Sequence, residues 1–367
     1  MVGLGGIQLG VLAACVVLFV PMAMAGWHLS RNKTLFFGGA LFITLAVCVH
    51  LTPHFPSVSD FANSFSSLVV FDHRDSCINY VNQIIWDVKP RHDVIKRNDS
   101  SFDCYEKNWD WVKSGKVNSC DFQRLGKSDA SDLLNGSWIV VAGDSQARLV
   151  VVSFLRLILD NQRFDSIRED LFKRHSSYNI VVDEIGLALD FVWAPLETNL
   201  TDLIIKLKEK RKYPDVLVMG SGLWHMLHVN NASDYGVSLR LLKSSVRSLL
   251  PPSPEFQTIE PVSGSTSIRS PHMFWLGMPM LINGKLNTEE KKEKMNDKMW
   301  HAYDKALGES KLLRQTGGPL ILLDMQSLTW NCGPRCTIDG IHYDAAIYEA
   351  VVHIMLNSLL IESHQWL

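Results

Sequence analysis

The chain has 367 residues, enough to bury a sizeable core, and once an N-terminal anchor is set aside the rest fits one large α/β domain. Its 36 Lys plus Arg stand against 38 Asp plus Glu, so the formal charge of −2 removes the electrostatic reason to expect nucleic acid and favours a neutral or polar substrate. The 47% hydrophobic content is ordinary, but Met1 to Leu29 carries almost no charge.

Leu4 to Leu29 and Leu35 to Leu51 are apolar runs near the length of roughly 20 residues that crosses a bilayer core. Between them stand Ser30, Arg31, Asn32 and Lys33, a short basic loop of the kind that stays cytoplasmic. Residues 1–51 therefore read as a transmembrane hairpin that leaves everything after Leu51 in the lumen. A cleaved signal peptide fits less well, because Met1 to Gln8 lacks a positive n-region. Residues 52–68 read as a stem. Asn98-Asp99-Ser100, Asn135-Gly136-Ser137, Asn199-Leu200-Thr201 and Asn231-Ala232-Ser233 are glycosylation acceptors in a lumenal domain. Of the 7 Cys, Cys15 and Cys48 fall in the apolar runs. Cys77, Cys104, Cys120, Cys332 and Cys336 remain for bridges whose connectivity stays open, although a local Cys332 to Cys336 disulfide fits better than a zinc site without a second ligand pair.

Residues 69–134, with Trp86, Trp109 and Trp111, read as a loop-rich, disulfide-held subdomain, and residues 135–367 as the catalytic domain. Trp138 to Ala142 predicts a buried strand ending at Gly143-Asp144-Ser145, followed by a helix over Gln146 to Leu159. Further strands are expected at Ala188 to Trp193, Val216 to Met219, Met273 to Gly277 and Leu320 to Leu323. Helices are expected at Leu203 to Lys212, Val237 to Leu250, Thr288 to Ala306 and Ala345 to Ile361. This alternation implies a parallel sheet with helices on both faces, and Pro251 to Ser270 an exposed loop.

The chemistry gathers at two places. A serine just after a strand and a glycine turn sits at a helix N-terminus, where free amides stabilise an oxyanion, so Ser145 is the candidate nucleophile beside Gly143 and Asp144. Alone, Gly-Asp-Ser reads equally well as a helix cap. Near the C-terminus, Thr337-Ile338-Asp339-Gly340-Ile341-His342-Tyr343 supplies both a base and a carboxylate. Asp339 can reach the Nδ1 of His342 locally, leaving Nε2 for Ser145 once the chain folds back. Arg148, one helical turn beyond Ser145, can lend positive charge or serve as a structural arginine. The Trp224-His225 pair and His228 read as packing or substrate contacts, and no residue is assigned to a metal.

Taken together these blocks resemble the SGNH/GDSL hydrolase superfamily, and more narrowly the plant trichome-birefringence-like and altered-xyloglucan polysaccharide O-acetyltransferases. The resemblance rests on Trp109, Trp111, Cys120-Asp121-Phe122-Gln123-Arg124-Leu125, Gly143-Asp144-Ser145-Gln146-Ala147-Arg148, Phe191-Val192-Trp193-Ala194-Pro195-Leu196, Gly220-Ser221-Gly222-Leu223-Trp224-His225 and Asp339-x-x-His342, and covers roughly Phe102 to the C-terminus. It implies an SGNH-like, flavodoxin-like α/β domain with a Ser145-His342-Asp339 triad. It implies a Golgi membrane protein with its catalytic domain in the lumen, transferring acetyl groups to a polysaccharide such as xylan or xyloglucan, or to an intermediate carrier. No bound cofactor is implied, but an acetyl donor is required, either acetyl-CoA or a membrane-delivered acetyl intermediate, and other acetylation-pathway membrane proteins are candidate partners. The superfamily's oxyanion Asn falls at Gly222, so the hole is expected to draw on the Ser145 amide and on Gly222, Trp224 or Arg148, with His225 beside them. An acetylesterase with the same triad and a non-catalytic subunit of an acetylation complex are the alternatives.

Overall fold

The computed structural model describes residues 77–90, 105–249 and 271–363. The expected membrane hairpin, the stem, the Asn98 sequon, Cys104 and the loop 251–270 lie outside the described residues.

The described residues hold eight strands: β1 (Ile84–Pro90), β2 (Tyr105–Trp111), β3 (Trp138–Gly143), β4 (Tyr178–Val182), β5 (Leu187–Trp193), β6 (Val216–Met219), β7 (His272–Leu276) and β8 (Ile321–Leu323). The helices that frame the site are α1 (Ser145–Ile158), α2 (Glu197–Lys210), α3 (Leu223–His228), α4 (Ala232–Arg247), α5 (Asp297–Ser310), α6 (Met325–Cys332) and α7 (Ala345–Ser363).

The main sheet runs β4-β5-β3-β6-β7-β8. Neighbours from β5 to β8 are parallel, while β4 pairs antiparallel with β5, so the sheet is mixed rather than wholly parallel as expected. Strand β4 escaped the sequence reading because it is an edge strand whose Asn179 and Val181 are exposed, which breaks the continuous apolar run that marks the central strands. Without β4 the order, starting from β3, is 2-1-3-4-5, the flavodoxin-like arrangement. The chain leaves β3 toward β5 on one side and returns to β6 on the other, so the carboxyl end of β3 is the switch point, the place where sheets of this order bind their ligands.

Both faces of β3 are buried. Ile139 and Val141 pack with Val151, Phe154 and Leu155 of α1 and Val351, Ile354 and Met355 of α7; Val140 and Ala142 pack with Leu200, Leu239, Leu242, Trp300 and Tyr303 on the opposite face. Each buried large side chain contributes on the order of 1.5–3 kcal/mol. Helix α7 is long and apolar enough to cross a membrane, yet it is apolar all round because it is buried in the fold, packed against α1 and β2.

Strands β1 and β2 form an antiparallel pair within the segment read as loop-rich. Trp109 and Trp111 of β2 join the same core as α1 and α7, and a Cys77–Cys120 disulfide closes the segment. The expected helix over Thr288 to Ala306 is two helices, Glu289–Lys294 and α5, because the Asn296 side chain accepts from the Met299 amide at 2.9 Å and caps a new start. Helix α2 begins at Glu197, earlier than expected, with Asn199 Oδ1 accepting from the Leu196 amide at 3.3 Å. The sequon residues Asn135, Asn199 and Asn231 are exposed.

Candidate active site

Strand β3 ends where space is tightest. A Cβ on Gly143 would stand 2.7 Å from the Gly220 carbonyl oxygen and 2.8 Å from Ala147 Cβ, so only glycine lets β3 turn into α1 beside the end of β6. Asp144 caps α1, its carboxylate accepting from the Gln146 amide at 2.9 Å, and this places Ser145 at the first helical position. Burial pushes the Asp144 carboxyl up to about 6, against the pull of the Gln146 amide and the nearby His342.

The Asp339-Gly340-Ile341-His342 turn is built as tightly. Gly340 adopts a left-handed φ of 79°, and a Cβ there would meet the Ile282 carbonyl oxygen at 2.5 Å. Thr337 donates its hydroxyl to the His342 carbonyl at 2.7 Å and accepts from the Gly340 amide at 3.0 Å, closing the loop on itself. Lys285 straps it from outside, donating to the Pro334 and Thr337 carbonyls at 2.6 Å each. Cys332 and Cys336 form the expected local disulfide just ahead of this turn, so these two sulfurs bind each other.

Asp339 and His342 meet Ser145. The His342 Nδ1–H donates to Asp339 Oδ2 at 2.6 Å, while Asp339 Oδ1 accepts from the amides of Ile341 at 2.9 Å and His342 at 2.7 Å. Burial alone would raise the Asp339 carboxyl, but these bonds from the imidazole and the two amides outweigh it and hold the group well below the usual carboxylate range. An ionised Asp339 fixes the proton on Nδ1. The Nε2 lone pair then faces Ser145, whose Oγ–H donates to it at 2.7 Å.

Gln146 and Tyr348 complete this assembly, and the sequence reading did not single out either role. Gln146 Nε2 donates to the Ile341 carbonyl at 3.0 Å, and the Tyr348 hydroxyl donates to Gln146 Oε1 at 2.7 Å. The residue after Ser145 thereby grips the loop that carries His342. Only the position of Gln146 inside the Gly-Asp-Ser block hinted at this; Tyr348 had no signal, being one of many apolar positions on α7.

The remaining candidates divide. Gly222 caps α3 with a φ of 125°, and a Cβ would stand 2.5 Å from Met278 Sδ. Neither the Ser145 nor the Gly222 amide has a hydrogen-bond acceptor among the described residues. Arg148 is buried, forms no ion pair among the described residues, donates to the Ser176 carbonyl at 3.1 Å, and lies 5.2 Å from the Trp193 ring centroid. His225 is buried, and its ring nitrogens lie 2.7 Å from the Tyr303 hydroxyl and 3.1 Å from Asp234. Burial raises the neighbouring Glu197 carboxyl, with His225 and Ser221 opposing the rise. Trp224 is half-buried at the surface of α3. Among the described residues no group of three His, Cys, Asp or Glu is arranged to hold a metal ion.

No family model matches the chain. It is 67% identical over 368 residues to "Protein ALTERED XYLOGLUCAN 9" of Arabidopsis thaliana, a match that spans 99% of each protein. Among solved structures, TesA shares 16% identity, with 60% of this chain and 97% of that one covered and a TM-score of 0.32. A catalytic mutant of Axe2, an acetylxylan esterase from Geobacillus stearothermophilus, shares 13% identity, with 65% and 96% covered and a TM-score of 0.34. Scores this low define no fold, and the strand order is what does so here.

Proposed function

Because the chain belongs to the altered-xyloglucan branch of the trichome-birefringence-like family, we propose that it is a serine O-acyltransferase that moves an acetyl group onto a polysaccharide hydroxyl through an acetyl-Ser145 intermediate. The observation that carries this reading is the unbroken relay Asp339 to His342 to Ser145 at 2.6 and 2.7 Å.

A hydroxyl is a weak nucleophile at neutral pH, and an imidazole at hydrogen-bond distance removes that limit. As Ser145 Oγ adds to the acyl carbonyl of the donor, its proton passes to His342 Nε2, and Asp339 stabilises the imidazolium. The Ser145 and Gly222 amides, with the positive end of α1, are the donors for the oxyanion. Collapse expels the donor's leaving group, which takes the proton from His342 and leaves the acyl ester on Ser145. The acceptor hydroxyl then loses its proton to His342 as it attacks that ester, and the second collapse returns the proton to Ser145. The acetyl donor, acetyl-CoA or a membrane-delivered carrier, is a co-substrate. The apolar runs 4–29 and 35–51 would hold this domain at the lumenal face of the Golgi membrane.

A second reading is hydrolysis, favoured by the 39% and 40% exposure of the His342 and Asp339 side chains, which lets water reach the acyl ester. Mass spectrometry of the Ser145 peptide after brief exposure to an acetyl donor tests both: an added acetyl group is expected and must vanish in Ser145→Ala. An unmodified wild-type peptide under turnover removes the covalent mechanism. Acetylated oligosaccharide against free acetate in the products separates transfer from hydrolysis.

A further inference from the structure

Four rings gather beside Ser145 without a part in the relay. Trp193 ends β5 directly opposite Gly143 in the parallel register, and Trp224 is the second residue of α3, reached from β6 through Gly220-Ser221-Gly222. His175 stacks on Trp193 with centroids 5.0 Å apart and planes 26° apart, and meets Trp224 edge-on at 5.1 Å. Trp193 and Trp224 are edge to face at 5.4 Å, and His228 lies 4.8 Å from Trp224. Both tryptophans are half-buried and both histidines exposed, so the cluster forms a wall open to solvent rather than part of the core.

The wall is anchored to the nucleophile helix. Arg148, one turn beyond Ser145, lays its guanidinium against Trp193 and bonds the Ser176 carbonyl, while Ser177 Oγ accepts from the Trp193 amide at 3.0 Å. The buried Arg148 Nε has no acceptor, so this arginine is held by the ring and the loop rather than by a counter-charge. Strand β3 lies between β5, which ends at Trp193, and β6, from which the chain runs on to Trp224. The wall therefore spans the carboxyl ends of the two strands that flank the one leading into Ser145.

We propose that His175, Trp193, Trp224 and His228 form the acceptor subsite, taking a neutral pyranose ring in stacking contact beside Ser145. Indole and imidazole faces are polarisable surfaces for the C–H face of a sugar, and the imidazole nitrogens offer hydrogen bonds to its hydroxyls. This inference rests on the reading of Ser145 as the acyl carrier but is tested apart from it.

Binding of xylohexaose and cellohexaose to the full chain is measured by calorimetry, and Ser145 labelling by a fluorophosphonate is followed on the same preparations. His175→Ala and His228→Ala, both at exposed positions, are expected to weaken oligosaccharide binding at least tenfold while labelling continues at the wild-type rate. Ser145→Ala is expected to bind as wild type does. Unchanged affinity in both ring variants, or no saturable binding of either hexasaccharide by the wild type, overturns the subsite. Loss of binding in the ring variants alongside an unreactive wild-type Ser145 upholds the subsite and instead removes the catalytic reading.

Discussion

Tyr348 on α7 donates its hydroxyl to Gln146 on α1 at 2.7 Å, and this buried bond joins the helix that begins at Ser145 to the helix that follows His342. Through Gln146 Nε2 the contact reaches the Ile341 carbonyl, next to His342. The 2.7 Å approach of His342 to Ser145 is thus supported from behind by a bond between two helices.

Removing that support should misplace His342 without touching it. Gln146→Ala is expected to lower kcat about 10- to 100-fold, the loss that follows a shift of about 1 Å in a catalytic group. It should cost about 1–3 kcal/mol of stability, since the Tyr348 hydroxyl loses its acceptor and the Ile341 carbonyl its donor inside the protein. Gln146→Glu keeps the shape but removes the donor to Ile341 and should be as slow at neutral pH. Release of 4-nitrophenol from its acetate ester, with urea unfolding alongside, measures both; wild-type turnover in either variant refutes the role.

Gly340→Ala should be more damaging than an ordinary surface change. The left-handed φ of 79° and the Ile282 carbonyl at 2.5 Å from the new Cβ leave the loop no way to keep its path. A destabilisation of about 1–3 kcal/mol is expected, with esterase turnover reduced about 100-fold or more because Asp339 and His342 flank the distortion. A variant with normal thermal midpoint and normal rate would show that the turn tolerates a side chain.

The buried Asp144 gives the pH dependence a definite sign. Its folded value of about 6 lies above the unfolded value of about 3.9, so the native state holds a proton that the unfolded chain has released. Stability contributed at this position is therefore present below about pH 4, falls as pH rises toward 6, and stays lost above it. Asp144→Asn keeps an oxygen for the Gln146 amide and carries no charge. It should be more stable than wild type by about 1–3 kcal/mol at pH 7, an advantage that shrinks on acidification and is gone by about pH 4. Urea midpoints from pH 4 to 7 supply the test; a difference constant across that range would mean that Asp144 is not protonated preferentially in the folded state.

The Cys77–Cys120 bridge closes a 43-residue separation that includes the β1–β2 pair. Paired Cys77→Ser and Cys120→Ser substitutions should lower stability by about 2–4 kcal/mol through the added freedom of the unfolded chain. Ser145, Asp339 and His342 all lie outside this loop, so turnover per folded molecule should hold, as active-site titration can verify. A fall in turnover matching the loss of stability would place the hairpin in the catalytic machinery.

What the sequence determined by itself was local or periodic. Apolar runs such as Val140 to Ala142 and Val216 to Met219 marked strands buried on both faces. Gly143 announced the sharp exit from β3, and the three-residue spacing of Asp339 and His342 made their pairing a property of one turn. Tertiary structure decided the rest, because contacts between elements depend on strand order and helix rotation, which hydrophobic periodicity does not encode. Ser145 reaches His342 across 197 residues only because β3 sits at the switch point of the sheet. The same cause hid the Cys77–Cys120 partnership, the contacts that bury His225 and the bond from Tyr348 to Gln146, each of which joins residues whose separate neighbourhoods carry no trace of the other.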